Sequence, residues 1–568
     1  GVDQYTLSGT TLAFTVAPAN DAVVVVVHAC NPNVHVTDGC QGDDRFFIPN
    51  GGGNMTFHGG IGADVFYISN NAAYSLFVTG GVYEDTAGDP FDKLNGDLST
   101  VNGVLTINGD SNGNGGTVDR VYVSDAANTS NTTGSVGSLI SGLSMPNGAS
   151  VNALTVEKLY IRMGSGNDVV TVPTVAVGVT AYVYAGDGND TASVGNLQNK
   201  LDDIDGKFYF YGQGGTDTVN VYATGNTSAV TGQLTAATVT GLGMGLLNDD
   251  HIFFADAVQQ PDYSVTLTST NESVNVYLGA GNDTFYVDSV FPFLSGASHV
   301  YGGNGDDLII VGSTGSGLYS INASRADFIH GTLFVSGEGG TDRVIVNDSG
   351  DDNANTGTFI NSTVTGLDMS GSITFDTAET VEIDLGAQND SFFIRSTSTG
   401  FTLNVKSGGG FDKVYVGSVD NKLDSILGSL LIEGDLPFAN DELYLFDYGS
   451  TTGHTYTVVN NPSAFTLPLE SGGTLTLDET TISRDGISDI KYRTIEAVIL
   501  RAGTGADTIN LQSLHNDRDP LGGTNATFTV RAGGGDDIIN VGDNHSVDLI
   551  DIFTLIDGEG GSDSVNFD

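Results

Sequence analysis

A short motif recurs along the chain: spaced glycines, an aspartate and an apolar alternation, as in "LGAGNDTFYV" (Leu278–Val287), "MGSGNDVVTV", "AGTGADTINL" and "AGGGDDIINV". In general form it is G-x-G-x-D followed by x-U-x-U, where U is apolar. Its aspartates include Asp64, Asp168, Asp190, Asp283, Asp307, Asp412, Asp507 and Asp537, and a sister form, G-x-G-G-[TS]-D, supplies Asp217, Asp342 and Asp563. After nearly every one, the second and fourth positions are apolar, as with Val170 and Val172, Phe285 and Val287, or Ile509 and Leu511; Ala192 is the weakest case. A period of two means a strand with one face inward. The glycines supply a turn with positive φ or a close approach of two backbones.

A longer period lies above this one. Glu157, Glu272, Glu379 and Glu496 each stand eleven residues before a motif aspartate and are 115, 107 and 117 residues apart. Each unit then runs in one order. A first motif (Asp168, Asp283, Asp390, Asp507) is followed 22–30 residues on by a second (Asp190, Asp307, Asp412, Asp537), then 26–35 residues later by a third (Asp217, Asp342, Asp441, Asp563). A stretch rich in Thr, Val and Gly, such as "TAATVTGLGMG" or "NSTVTGLDMSG", completes the unit. These periods divide the chain into divergent repeats over 1–150, units at 151–265, 266–373 and 374–490, and a partial unit at 491–568.

The spacing within a unit is that of one solenoid coil, with two or three short strands joined by turns. No long segment shows helical periodicity with caps, and β-branched and aromatic residues dominate the apolar runs. The expected fold is therefore all-β, a right-handed parallel β-solenoid (β-helix or β-roll), with valines inward and threonines outward. The competing arrangement is a string of β-sandwiches of about 110 residues each.

Composition narrows the partners. The chain has 568 residues, 79 of them Gly and 12 Pro, with no Trp; 39% are hydrophobic and 15% charged, which leaves enough apolar surface for a core. Against 19 basic residues stand 69 acidic ones, a formal charge of −50, so nucleic acid and anionic membrane surfaces are not expected partners. No apolar run approaches the ~20 residues that span a bilayer. Cys30 and Cys40, in "HACNPNVHVTDGC", either close a short disulfide loop, pointing to an oxidising compartment, or are separate thiols. The chain opens at Gly1 and ends inside a repeat at "GEGGSDSVNFD", so a longer parent polypeptide is expected.

The motif resembles the glycine- and aspartate-rich repeat of hemolysin-type (RTX) calcium-binding proteins, G-G-x-G-x-D-x-U-x; "YGGNGDDLII" (Tyr301–Ile310) and "HGGIGADVFY" (His58–Tyr67) fit it closely. That resemblance implies Ca²⁺ held between stacked turns by glycine carbonyls and aspartate carboxylates. The chemistry is sound, because Ca²⁺ takes six or more hard oxygens and stacked buried carboxylates repel one another without a cation. The implied ligands are Asp64, Asp168, Asp190, Asp217, Asp283, Asp306, Asp307, Asp342, Asp412, Asp507, Asp536, Asp537 and Asp563. One departure stands out: the family repeats nine residues in tandem, whereas here each presumed coil carries one motif. Gln388 replaces the second glycine before Asp390, and "GDLPFAND" before Asp441 is degenerate, so both turns are expected to be empty. The plainer alternative is a glycine turn whose aspartate accepts backbone N–H groups. The recurrent Glu is either a ligand or a solvated column.

No H-E-x-x-H or G-x-S-x-G pattern occurs, and the nine histidines are scattered without metal-ligand spacing, so catalysis is not expected. Sequons headed by Asn128, Asn131, Asn226, Asn271, Asn322, Asn361 and Asn525 fit a secreted surface. The expected function is that of an extracellular or cell-surface structural protein, a calcium-stabilised array that self-associates into a filament, stalk, sheath or surface layer. The alternative is a calcium-dependent adhesin that binds glycans or a partner cell, with "KFYFYGQ" (Lys207–Gln213) as its aromatic candidate.

Overall fold

The computed structural model describes residues 5–8, 11–14, 23–25, 33–36, 45–49, 54–72, 78–79, 82–83, 93–109, 118–245, 251–254, 256–259, 265–268, 273–290, 296–312, 324–434, 440–468, 474–515, 526–543 and 546–567. Cys30 and Cys40 lie outside them. Among the described residues the regular structure is β throughout, and no helix is long and apolar enough to cross a membrane. The chain forms two compact units, Gly1–Ala280 with Phe293–Val300 and Gly281–Pro292 with Tyr301–Asp568.

In the first unit, strands alternate between two sheets and pair in parallel with the strand one coil away. One sheet carries Arg45–Ile48, Val65–Ile68, Arg120–Ser124, Lys158–Arg162, Thr180–Asp187 and Lys207–Gly214 in succession. The other carries Val169–Val172, Thr191–Val194, Thr218–Tyr222 and Ser273–Tyr277. A coil here is two strands and two turns. The second unit repeats the plan, with Leu308–Val311, Arg343–Asn347, Thr380–Asp384, Thr402–Lys406 and Ser429–Glu433 in one sheet and Ser391–Ile394, Lys413–Val416, Glu442–Phe446, Ala497–Arg501 and Thr527–Arg531 in the other. Parallel pairing at coil spacing is the ladder pattern of a β-solenoid; sandwiches would pair antiparallel.

The Thr- and Val-rich stretches interrupt this order. In each, the chain folds into an antiparallel meander inserted into one sheet: Thr133–Ser135, Leu139–Gly142 and Ser150–Leu154 in the first unit, and Thr356–Ile360, Thr363–Gly366 and Ser372–Asp376 in the second. Each unit has another, built from Thr231–Leu234, Thr238–Gly241 and His251–Phe253 in the first and from Thr455–Pro468, Thr474–Arg484 and Ile490–Arg493 in the second.

Register piles like positions into columns. Val344, Val381, Leu403, Leu430 and Ile490 form one inward column, each at most 1% exposed. Val121, Leu159, Ala181 and Phe208 form another in the first unit. The outward columns are not mainly threonine. Tyr122, Tyr160, Tyr182, Tyr209 and Phe253 stack with ring centroids 4.6, 4.7, 4.8 and 4.2 Å apart, and Asn510, Asn540 and Asn566 link amide to amide at 2.8 and 2.9 Å. A stack spaced by one coil suits planar groups that bond to copies of themselves.

Truncating Phe210, 0% exposed, should cost about 3–5 kcal/mol. Coupling in a stacked array is to nearest neighbours, so amide hydrogen exchange in the Phe210→Ala protein should rise in Lys207–Gly214 and Thr180–Asp187 and leave Arg45–Ile48 unchanged. A uniform rise would contradict the coil-by-coil description.

Candidate functional site

Each motif is the turn that carries the chain from one sheet to the other, and two of its features require glycine. A Cβ at Gly302 would lie 2.8 Å from Asp307 Oδ2, so the carboxylate is seated where a side chain would be. At Gly305, φ is +128° and a Cβ would lie 2.3 Å from the carbonyl oxygen of Gly281 on the neighbouring turn. The glycines let successive turns touch, and this brings one aspartate within reach of the next.

The aspartates then bond from coil to coil. Asp168 N–H donates to Asp190 Oδ1 at 2.7 Å, and Asp190 N–H to Asp217 Oδ1 at 2.8 Å. In the second unit Asp283 N–H donates to Asp307 at 2.7 Å and Asp307 N–H to Asp342 at 2.9 Å. Asp390 N–H donates to Asp412 at 2.6 Å and Asp412 N–H to Asp441 at 2.9 Å; Asp507 N–H donates to Asp537 at 2.7 Å and Asp537 N–H to Asp563 at 3.1 Å. The first unit holds an earlier ladder, in which Asp64 N–H donates to Asp119 at 2.8 Å. Three ladders begin at the first strand of a meander, where Thr132, Asn355 and His454 donate their backbone N–H groups to Asp168, Asp390 and Asp507. Three end on the recurrent glutamate: Glu157 accepts from Asp119 N–H at 2.7 Å, Glu379 from Asp342 N–H at 2.7 Å, and Glu496 from Asp441 N–H. These glutamates are terminal acceptors rather than a solvated column; Glu272 lies outside the described residues. Asp390 and Asp441, whose turns depart from the motif, belong to the ladder as well.

A second ladder runs beside the first in the opposite sense, through the residue before the aspartate. Asn167 N–H donates to Asn131 Oδ1, Asn189 N–H to Asn167 and Thr216 N–H to Asn189, each at 2.9 Å. Asp306 and Asp536 belong to this outer row: they are exposed, and Asp306 accepts from Thr341 N–H and Asp536 from Ser562 N–H, both at 2.9 Å.

The inner carboxylates are buried, between 0 and 2% exposed from Asp64 to Asp537, while Asp563 is exposed. In each rung given above, one carboxylate oxygen is committed to a backbone N–H. Asp390 and Asp507 bring in a further donor on Oδ2, from Gly386 N–H at 3.1 Å and Gly503 N–H at 3.2 Å. In Asp168, Asp190, Asp307, Asp342 and Asp537, Oδ2 is buried with no hydrogen-bond partner. These oxygens are candidate cation ligands, and an ion drawn to them would complete its shell from turn carbonyls. Burial pushes the Asp190 carboxyl up to about 7, against the pull of the Asp168 N–H and with a further push from Asp217, Asp168 and Asp187. Burial likewise raises Asp307 to about 6 and raises Asp342, Asp390, Asp507 and Asp537.

Neither a protein-family model nor a curated protein matches the chain.

One group of buried acids was not apparent from the motif. Asp125, Asp348 and Asp447 each follow a ladder strand directly and sit at the opposite turn, 0% exposed, accepting from Leu98 N–H at 3.1 Å, Ala326 N–H at 2.8 Å and Leu423 N–H at 3.0 Å. Their sequence mark is an aspartate six residues after the last motif aspartate of a unit, as in "RVYVSD", "RVIVND" and "ELYLFD".

Asp190→Ala should orphan the buried Asp168 N–H at about 1–3 kcal/mol, seen as faster hydrogen exchange at that amide; Asp190→Asn, which keeps Oδ1 as acceptor, should not. The pH dependence follows from the same residue. Folded Asp190 holds its proton up to about pH 7, whereas its ordinary value is 3.8, so between these the folded state binds more protons. Its stabilising contribution is full below about 3.8 and is lost as pH rises through 7. Metal-free protein should melt at a lower temperature at pH 8 than at pH 5, with a smaller difference in Asp190→Asn.

Proposed function

We propose that this is an extracellular structural protein: a right-handed solenoid array, stabilised by calcium at its glycine–aspartate turns, that self-associates into a filament, stalk, sheath or surface layer. The observation that carries this reading is the consumption of the motif residues by their own neighbours. Glycines, aspartates and asparagines that would line a site in an enzyme are spent here on coil-to-coil bonds, repeated without a centre. Buried carboxylates stacked in a column favour a cation, and the orphaned Oδ2 atoms of Asp168, Asp190, Asp307, Asp342 and Asp537 are the oxygens it would take. The resemblance to hemolysin-type repeats and the sequons support calcium and an extracellular setting. Strand edges of a parallel stack template further strands, which suits head-to-tail growth through a heterologous contact.

The adhesin reading leans on the aromatic column around Tyr209. Tyr160, Tyr182 and Tyr209 have a ring stacked on both faces, with interplanar angles between 4° and 19°. Sugar rings need an open aromatic face, and these three rings have both faces covered by their neighbours. The column acts instead as a brace.

Electron microscopy of the native assembly in millimolar calcium and after chelation tests the proposal. Long polymers or sheets that fray on chelation are the expected result. Dispersed single particles in calcium would remove the polymer, and assemblies indifferent to chelation would remove the cation.

A further inference from the structure

Two repeats of the second unit build the turn opposite the ladders in the same way, position for position. Asp348 and Asp447 both end a ladder strand and accept an N–H from Ala326 or Leu423, and those donors are followed by Asp327 and Asp424. Seven residues after the buried aspartate come Asn355 and His454, whose N–H groups start the next ladder at 2.6 Å from Asp390 and Asp507. Between them, Asp351 stands where the other repeat has Ser450. The meander strands correspond too: Gly357 faces Gly366 as Tyr456 faces Arg484, so Gly366 occupies the place of Arg484.

In the later repeat that arginine is the centre of the turn. Its side chain is 1% exposed; Nη2 lies 2.7 Å from Asp424 Oδ1 and 2.7 Å from His454 Nε2, and Nε lies 2.9 Å from Asp447 Oδ2. Tyr456 adds a hydroxyl bond to Asp447 at 2.6 Å. A fixed cation thus ties the coil to the meander.

The earlier repeat lacks the arginine and the tyrosine and has Asp351 in place of Ser450. Oxygens of Asp327, Asp348 and Asp351 lie within 4.8 Å of one another, the only such acidic group among the described residues. Asp348 and Asp351 are 0% exposed. Asn355, 4% exposed, points its amide into the group: Nδ2 is 3.3 Å from Asp348 Oδ2 and in contact with Asp351 Oδ2, while Oδ1 is buried with no hydrogen-bond partner. Arg325 approaches from outside, 3.3 Å from Asp351 and 3.8 Å from Asp327, and shares its charge with Asp352. One partly exposed guanidinium does not balance three clustered carboxylates.

We propose that Asp327, Asp348, Asp351 and Asn355 form a divalent-cation site of the calcium class, in which the ion does the work of Arg484. The donors are all hard oxygens, with no imidazole or thiolate, which excludes a zinc-type site. A span of 4.8 Å is bridged by two Ca–O bonds of about 2.4 Å. Half a turn of the Asn355 amide places Oδ1 on the ion, an orientation hard to distinguish from the other by shape, and water completes the shell. The site is separate from the glycine turns, and its failure would leave the proposed scaffold untouched.

The test uses the full chain stripped of metal, with Ca²⁺ alone as probe. Crystals soaked in CaCl₂ should show an ion bound by these four residues, with the Asn355 amide turned. By calorimetry, Asp351→Asn should lose one calcium site or bind there at least tenfold more weakly, whereas Asp352→Asn should match the parent. Asp351→Ser, which installs the residue of the later repeat, serves if Asp351→Asn does not fold. Calcium peaks only at glycine turns, binding unaltered in both Asp351 variants, or Mg²⁺ bound as tightly as Ca²⁺ would each overturn the assignment.

Discussion

A backbone N–H of one coil donating to a buried aspartate of the next is the bond on which the remaining features rest. The N–H group at the start of a sheet strand has no partner in its own coil, and buried without one it would cost about 1–3 kcal/mol. The motif aspartate of the following coil supplies the acceptor, at 2.6 to 3.1 Å in every described rung. For the carboxylate to arrive there, the turn must pass close to its neighbour, hence the glycines. For the ladder to stop without an orphaned donor, the last rung needs an acceptor that does not depend on a glycine turn. Glutamate, one methylene longer, serves at Glu157, Glu379 and Glu496. Where the residue before the aspartate is Asn or Asp, the outer row repeats the arrangement in reverse, and those turns are bonded to their neighbours in both directions.

The same arrangement sets a conflict. Hydrogen bonds draw the carboxylates inward while burial and mutual repulsion favour their protonated form, so Asp190 and Asp307 are shifted well above ordinary aspartates. The strain is distributed along columns, with Asp390 and Asp507 relieved by an additional glycine N–H. Charge is handled differently at the opposite turn, where Asp447 meets a buried arginine and Asp125 meets the side chains of Ser144 and Asn128.

Much of this was legible from residues alone, because period-two apolar positions and coil-length spacing report directly on strands and rungs. The parallel sheets, the inward valines and leucines and the positions of the motif turns all follow from that pattern. What each aspartate bonds to did not, since its donor lies 22 to 55 residues away within a ladder and spacing does not say which backbone group is left unpaired. For the same reason the departures from the motif at Gln388 and before Asp441 gave no sign that Asp390 and Asp441 accept from Asn355 and Asp412. The meanders read only as motif-free stretches, and Asp348 and Asp447 lack the G-x-G that precedes a motif aspartate.

The ladders of the second unit also change sides. Those through Asp307 and Asp342 precede strands of one sheet, those through Asp412 and Asp441 precede strands of the other, and Asp507 and Asp537 return to the first by way of the meander. The repeat visible in sequence is therefore half of the repeat that restores the same face. A decoration carried once per repeat, such as a glycan or a partner's foothold, would be presented alternately front and back. A neighbour approaching the second unit from one side would find every second copy.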